Sequence, residues 1–231
     1  MPERFDFPDK STLAKALAEA VANDLKAGIE ERGEASIAVS GGSTPGKFFA
    51  ALGKRKDLDW EKVTVTLVDE RWVPDTSDRS NAMLVNEKML QGPAASAHFV
   101  PLYQGGDEPD ATGIAKADAA IAAVPHPFDA VILGMGNDGH TASFFPGGDH
   151  LDEALAGEGP VVTMRAPGAG EPRVTLTLPV LLAARALYLH IEGEEKAATL
   201  ARALADGPVE DMPVRAVLRA AATPLTIYWC P

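Results

Sequence analysis

Apolar residues recur along this chain with two different periods. Over 11–32, Leu13, Leu17, Val21, Leu25 and Ile29 return every fourth residue, the stripe of an amphipathic helix. Ser11 is placed to cap its start and Gly33 to close it. Short runs rich in β-branched residues then read as strands at 36–39, 63–68, 128–133, 161–164, 174–178, 187–191 and 225–229. Helical patterns occupy about 45–52, 79–90, 109–123 and 194–204. Strands alternating with helices predict an α/β fold, a mostly parallel sheet with helices on both faces. Segments 105–109 and 166–172 read as surface loops. No internal repeat and no long linker is visible, so residues 1–231 are expected to form a single domain.

Composition narrows the function classes. A hydrophobic content of 46% supplies a core, and 23% charged residues is ordinary. The net charge of −12 argues against a nucleic-acid or anionic-membrane partner. An acidic protein that holds an anion must gather positive charge locally, so each Arg or Lys at a strand end matters. The single cysteine, Cys230, forms no disulfide within the chain and fits a reducing cytoplasm. The start, MPERFDFPDK, lacks a basic region followed by an apolar core, so no signal peptide is expected. The most apolar run, 176–191, is interrupted by Pro179 and Arg185 and predicts no membrane span. His98, His126, His150 and His190 show no metal-ligand spacing with one another or with Cys230, so structural or solvated roles are expected for them and no metal is implied.

Three segments carry candidate chemistry. Ser40-Gly41-Gly42-Ser43-Thr44-Pro45 joins a strand to a helix. Its glycines allow close backbone approach, Ser43 and Thr44 offer hydroxyls, and Pro45 suits the first helical position. A helix N-terminus there is a seat for phosphate; the other reading is a plain Ser/Thr-capped turn. The spacing fits neither a P-loop nor a serine-hydrolase elbow. Asp69-Glu70-Arg71 ends a strand, where Arg71 could grip a phosphate or join a surface ion-pair cluster. Gly134-Met135-Gly136-Asn137-Asp138-Gly139-His140 follows a buried strand. It formally matches the dinucleotide fingerprint, but Pro146, Gly147 and Gly148 stop any helix after about two turns. Asp138 can orient His140 as a base, or the two can form an Asx turn and the cap of a short helix at Thr141. Arg173 begins a strand and Lys196 a helix; either could reach an anion across the sheet edge or stay solvated.

In order, SGGSTP (40–45), DERWVP (69–74), GMGNDGHTASFFPG (134–147), PRVTLT (172–177) and GEEK (193–196) resemble the 6-phosphogluconolactonase family over nearly the whole chain. The related glucosamine-6-phosphate deaminases carry a Glu five residues after the His; here that position is Phe145. They also tend toward Asp-Glu-Tyr where this chain has Asp69-Glu70-Arg71. The resemblance implies a three-layer α/β/α fold with a Rossmann-like sheet and no metal or organic cofactor. It implies a sugar-phosphate lactone as substrate, hydrolysed in the oxidative pentose phosphate pathway by a protein expected to act as a cytoplasmic monomer. Gly41, Gly42, Ser43, Thr44, Arg71, Arg173 and Lys196 would hold the phosphate end, with Asp69 also at the substrate. His140 and Asp138 would move the protons, and Asn137 or the N–H groups of 134–139 would meet the oxyanion. The rival readings are a sugar-phosphate deaminase or isomerase, a non-catalytic sugar-phosphate sensor, and an NADP-binding protein.

Overall fold

The computed structural model describes residues 2–220 and 225–231. In chain order the elements are β1 (Glu3–Asp6), α1 (Lys10–Arg32), β2 (Ala35–Val39), α2 (Gly46–Gly53), β3 (Val63–Leu67), β4 (Asp69–Arg71), α3 (Asn81–Lys88), β5 (His98–Val100) and α4 (Ala111–Ala122). Then follow β6 (Ala130–Leu133), α5 (Leu151–Ala156), β7 (Val161–Met164), β8 (Arg173–Leu176), α6 (Leu178–Leu182), β9 (Ala186–Glu192), α7 (Glu194–Leu204), α8 (Val214–Leu218) and β10 (Leu225–Cys230).

Seven strands make one sheet in the order β1-β10-β9-β6-β2-β3-β5, every neighbouring pair parallel. Helices flank both faces, giving the expected three-layer α/β/α arrangement. The central strands β2 and β6 are buried along their whole length, as continuous apolar runs require. From α1, Leu13, Leu17, Val21 and Leu25 are fully buried, and each such side chain contributes about 1.5–3 kcal/mol. The chain runs outward from β2 to β3 and β5, then returns to the other side of β2 as β6. Between β2 and β6 the winding therefore reverses. The loops after these two strands diverge there and open a crevice at the carboxyl edge of the sheet. No helix among the described residues is long and apolar enough to cross a membrane.

Several local expectations are corrected. Asp9, not Ser11, caps α1, because its carboxylate accepts the N–H groups of Ser11 and Thr12 at 2.8 and 2.9 Å. α2 starts at Gly46 with Pro45 at its cap, and no side chain caps it. The strands at 161–164 and 174–178 do not join the parallel sheet. As β7 and β8 they pair antiparallel and, with β4, form a separate three-stranded sheet ordered β4-β8-β7. The connection through 166–172 is a loop without a helix, so it reverses the chain instead of crossing over. The short helix after Thr141 does not form; Thr141 and Phe144 make an isolated antiparallel bridge instead. β1, β5, α5, α6 and α8 carry too few residues for a periodic signal and were not anticipated.

Candidate active site

The loop after β2 is fastened from both sides. Ser40 accepts the N–H of Gly134 through its hydroxyl at 3.0 Å, which ties this loop to the one after β6. Gly41 must lack a side chain: a Cβ there would lie 2.0 Å from Asn81 Oδ1. Neither Ser43 nor Thr44 caps α2, and their hydroxyls bond to no described residue at the mouth of that helix.

The turn after β6 is a closed knot of hydrogen bonds. Gly136 N–H donates to the His140 carbonyl at 2.8 Å, and Gly139 N–H to that of Gly136 at 3.1 Å. The Thr141 hydroxyl donates to the Gly134 carbonyl at 2.7 Å. Asp138 Oδ1 accepts the His140 backbone N–H at 3.1 Å and sits 2.6 Å from ring Nδ1. The Asx turn and the carboxylate–imidazole pair are therefore one structure rather than alternatives. Partial burial pushes the Asp138 carboxyl up, but the hydrogen bond and charge of the His140 ring outweigh it and bring its pKa down to about 2. The ring lies so close to Gly136 that a Cβ there would stand 2.1 Å from Nδ1. Its other side meets Phe145, ring centroids 4.4 Å apart. Ala142, two residues on, takes a left-handed φ of 49°, a strained turn beside this pair.

The small sheet delivers two of the cations. Antiparallel pairing of β4 with β8 sets Arg71 directly opposite Arg173. Like charges in that register repel, so the arrangement calls for negative charge nearby. Asp69 supplies part of it, with Oδ2 3.7 Å from Arg173 and 2.6 Å from the Ser143 hydroxyl. Burial pushes Arg173 below its usual range, Asp69 draws it back, and Arg71 pushes it down again. Arg71 donates to the Arg79 carbonyl at 2.6 Å and to Asn81 Oδ1 at 3.1 Å. Beneath it, buried Glu70 accepts four hydrogen bonds, from the N–H groups of Arg71, Asn81 and Ala82 and from the Ser80 hydroxyl. Lys196 comes from the first turn of α7; burial pushes its amine down, while Glu195 and Asp138 pull it up.

These parts share one cavity of about 220 Å³, walled by the 40–45 loop, Asp69, Arg71, Arg173, Lys196, His140 and part of the 134–142 turn. Asn137 is not in it. Its side chain is exposed, and its carbonyl accepts from Arg202 and Thr199 on α7 at 3.1 and 3.4 Å. Asp138 stands behind the imidazole rather than at the wall. Two polar wall residues carry no motif: Asn81, which holds Arg71, and His190, expected to be structural or solvated. Among the described residues, four buried side-chain nitrogens lack a partner, and three belong to wall residues: Arg71 Nε, Arg173 Nε and His190 Nδ1. Buried unpaired polar groups are costly and need an explanation. All three residues line the one cavity.

A doubly wound sheet with cations and a carboxylate–imidazole pair around one cavity is the arrangement of an α/β enzyme for anionic substrates. Residues 8–229 match the family described as Glucosamine-6-phosphate isomerases/6-phosphogluconolactonase, and the chain belongs to it. It is 55% identical over 227 residues to the 6-phosphogluconolactonase of Rhizobium meliloti (strain 1021), covering 97% of each. It is 51% identical to that of Mesorhizobium japonicum, covering 97% of this chain and 94% of the relative. The crystal structure of a 6-phosphogluconolactonase from Shewanella baltica OS155 matches with a TM-score of 0.97 at 39% identity, over 100% of this chain and 98% of that one.

Proposed function

We propose that this protein hydrolyses 6-phospho-D-glucono-1,5-lactone to 6-phospho-D-gluconate, the lactone-opening step of the oxidative pentose phosphate pathway. The observation that carries the reading is the single cavity shared by the 40–45 loop, the cations and His140. Phosphate and carbonyl lie at opposite ends of the sugar, so one cavity must offer anion donors and a base. Gly41, Gly42, Ser43, Thr44, Arg71, Arg173 and Lys196 bind the phosphate end and fix orientation. Asp69 accepts a sugar hydroxyl.

Neutral His140 takes a proton through Nε2 from a water that attacks C1. Asp138 holds Nδ1–H and stabilises the imidazolium. In the turn, the N–H groups of Gly134, Gly136, Gly139 and His140 already bond within the protein, and neither Asn137 nor Asp138 lines the cavity. The oxyanion therefore falls to the N–H of Met135 at the cavity wall. Collapse of the tetrahedral intermediate expels the ring oxygen, which takes the proton back from His140. The scheme calls on no metal or organic cofactor, and the reading includes a monomer working in the cytoplasm.

The relatives' shared name supports the substrate. Phe145 supports hydrolysis over deamination: the deaminase pattern has a Glu there, and this ring instead packs on His140 and lies 5.3 Å from the Arg173 guanidinium. The test is turnover of freshly generated 6-phosphogluconolactone, corrected for spontaneous hydrolysis, beside ammonia release from glucosamine 6-phosphate. Lactone opening without ammonia is expected; ammonia release, or no opening above background, overturns the reading.

A further inference from the structure

We propose that His190 is a further ligand of the phosphate group, donating to it through Nδ1; the inference rests on the anion cradle of the lactonase reading. Position comes first. Leu189 of β9 pairs with Leu133 of β6, so His190 stands level with Gly134, where the turn begins. Its ring meets Phe48 edge-on at 6.2 Å, and Phe48 lies in the first turn of α2. His190 thus sits between the sheet and the 40–45 cradle, on the cavity wall.

The ring is held from behind. Its side chain is 2% exposed, and Nε2 lies 3.2 Å from Glu192 Oε1. Glu192 in turn receives Lys10 at 3.1 Å. Burial pushes the Glu192 carboxyl up, but His190 and Lys10 outweigh it and hold it below its usual value. A carboxylate there can only accept, so Nε2 carries a hydrogen and the ring orientation is fixed. Nδ1 is left buried without a partner among the described residues. A leucine would fill the same space against Phe48 without that cost, so packing alone does not account for the imidazole. A phosphomonoester does. With a proton on Nδ1, the ring lies between the Glu192 carboxylate and a phosphate oxygen, matched in charge on both nitrogens.

The test uses the full-length protein, labelled with ¹⁵N-histidine, and inorganic phosphate as the probe. Saturation with phosphate should move the His190 Nδ1 resonance; an unmoved resonance overturns the proposal, even if no variant folds. By calorimetry, His190→Leu should weaken phosphate binding about tenfold or more. His190→Asn places an amide N–H near the position of Nδ1 and should stay within about threefold of the wild type. Unchanged affinity in His190→Leu, or equal losses in both variants, would assign His190 to packing. Failure of the wild type to open the lactone would remove the lactonase reading and leave these binding outcomes standing.

Discussion

Replacing Glu70 by Gln changes one atom and tests how the cavity's arginine is held. Oε1 of Glu70 accepts the N–H groups of Arg71 and Asn81, both at 2.8 Å. Oε2 accepts the Ser80 hydroxyl at 3.0 Å and the Ala82 N–H at 2.8 Å. The carboxylate therefore satisfies two free N–H groups at the start of α3 and locks β4 to that helix. Glutamine has the same shape but one oxygen. Its amide can turn toward Ser80, whose hydroxyl can accept, but Ala82 then faces another N–H. One buried donor left unpaired costs about 1–3 kcal/mol, and two bonds to a neutral acceptor lose about 1 kcal/mol each. Burial holds the Glu70 carboxyl above its ordinary range, so removing the charge returns part of this. A net loss of about 2–4 kcal/mol remains, which for a chain of this size lowers Tm by about 4–16 °C. KM for the lactone should rise as well, because Asn81 and Arg71 lose their common support. Thermal unfolding and steady-state kinetics read the two effects. A Tm within about 2 °C of wild type would refute the capping argument, and an unchanged KM would refute the link to Arg71.

His140→Ala should lower kcat by about 10²–10⁴-fold while phosphogluconate still binds by calorimetry; weak binding with normal turnover would remove the base assignment. Gly136→Ala puts a Cβ 2.1 Å from His140 Nδ1 and 2.5 Å from Asp138 Oδ1, so kcat should fall as far as in His140→Ala, and wild-type turnover would contradict the placement of the ring. The folded pKa of Asp138, about 2, lies below the ordinary 3.8, so its stabilising contribution is present above 3.8 and is lost as pH falls toward 2; acid unfolding unchanged in Asp138→Asn would contradict this.

The sequence by itself determined whatever depends on near neighbours. The fourfold spacing of Leu13, Leu17, Val21 and Leu25 becomes the buried stripe of α1, and the apolar runs become β2 and β6. The Asp138–His140 contact was legible because two residues of chain cannot separate the partners far. Tertiary structure decided what depends on distant pairing. A strand's pattern says which face is buried but does not name its partner, so the antiparallel sheet that sets Arg71 against Arg173 was invisible. Capping was misplaced by two residues, because Ser11 and Asp9 both suit the role and only backbone geometry chooses between them. Asn81 bears no motif, and its work for Arg71 exists only where α3 meets β4. Spacing between histidines leaves His190 structural or solvated, because burial beside an unpaired nitrogen is a property of the packed fold. Short-range hydrogen bonding writes its periods into the chain, whereas cavity walls are assembled from strand ends that meet only when their apolar faces are buried together.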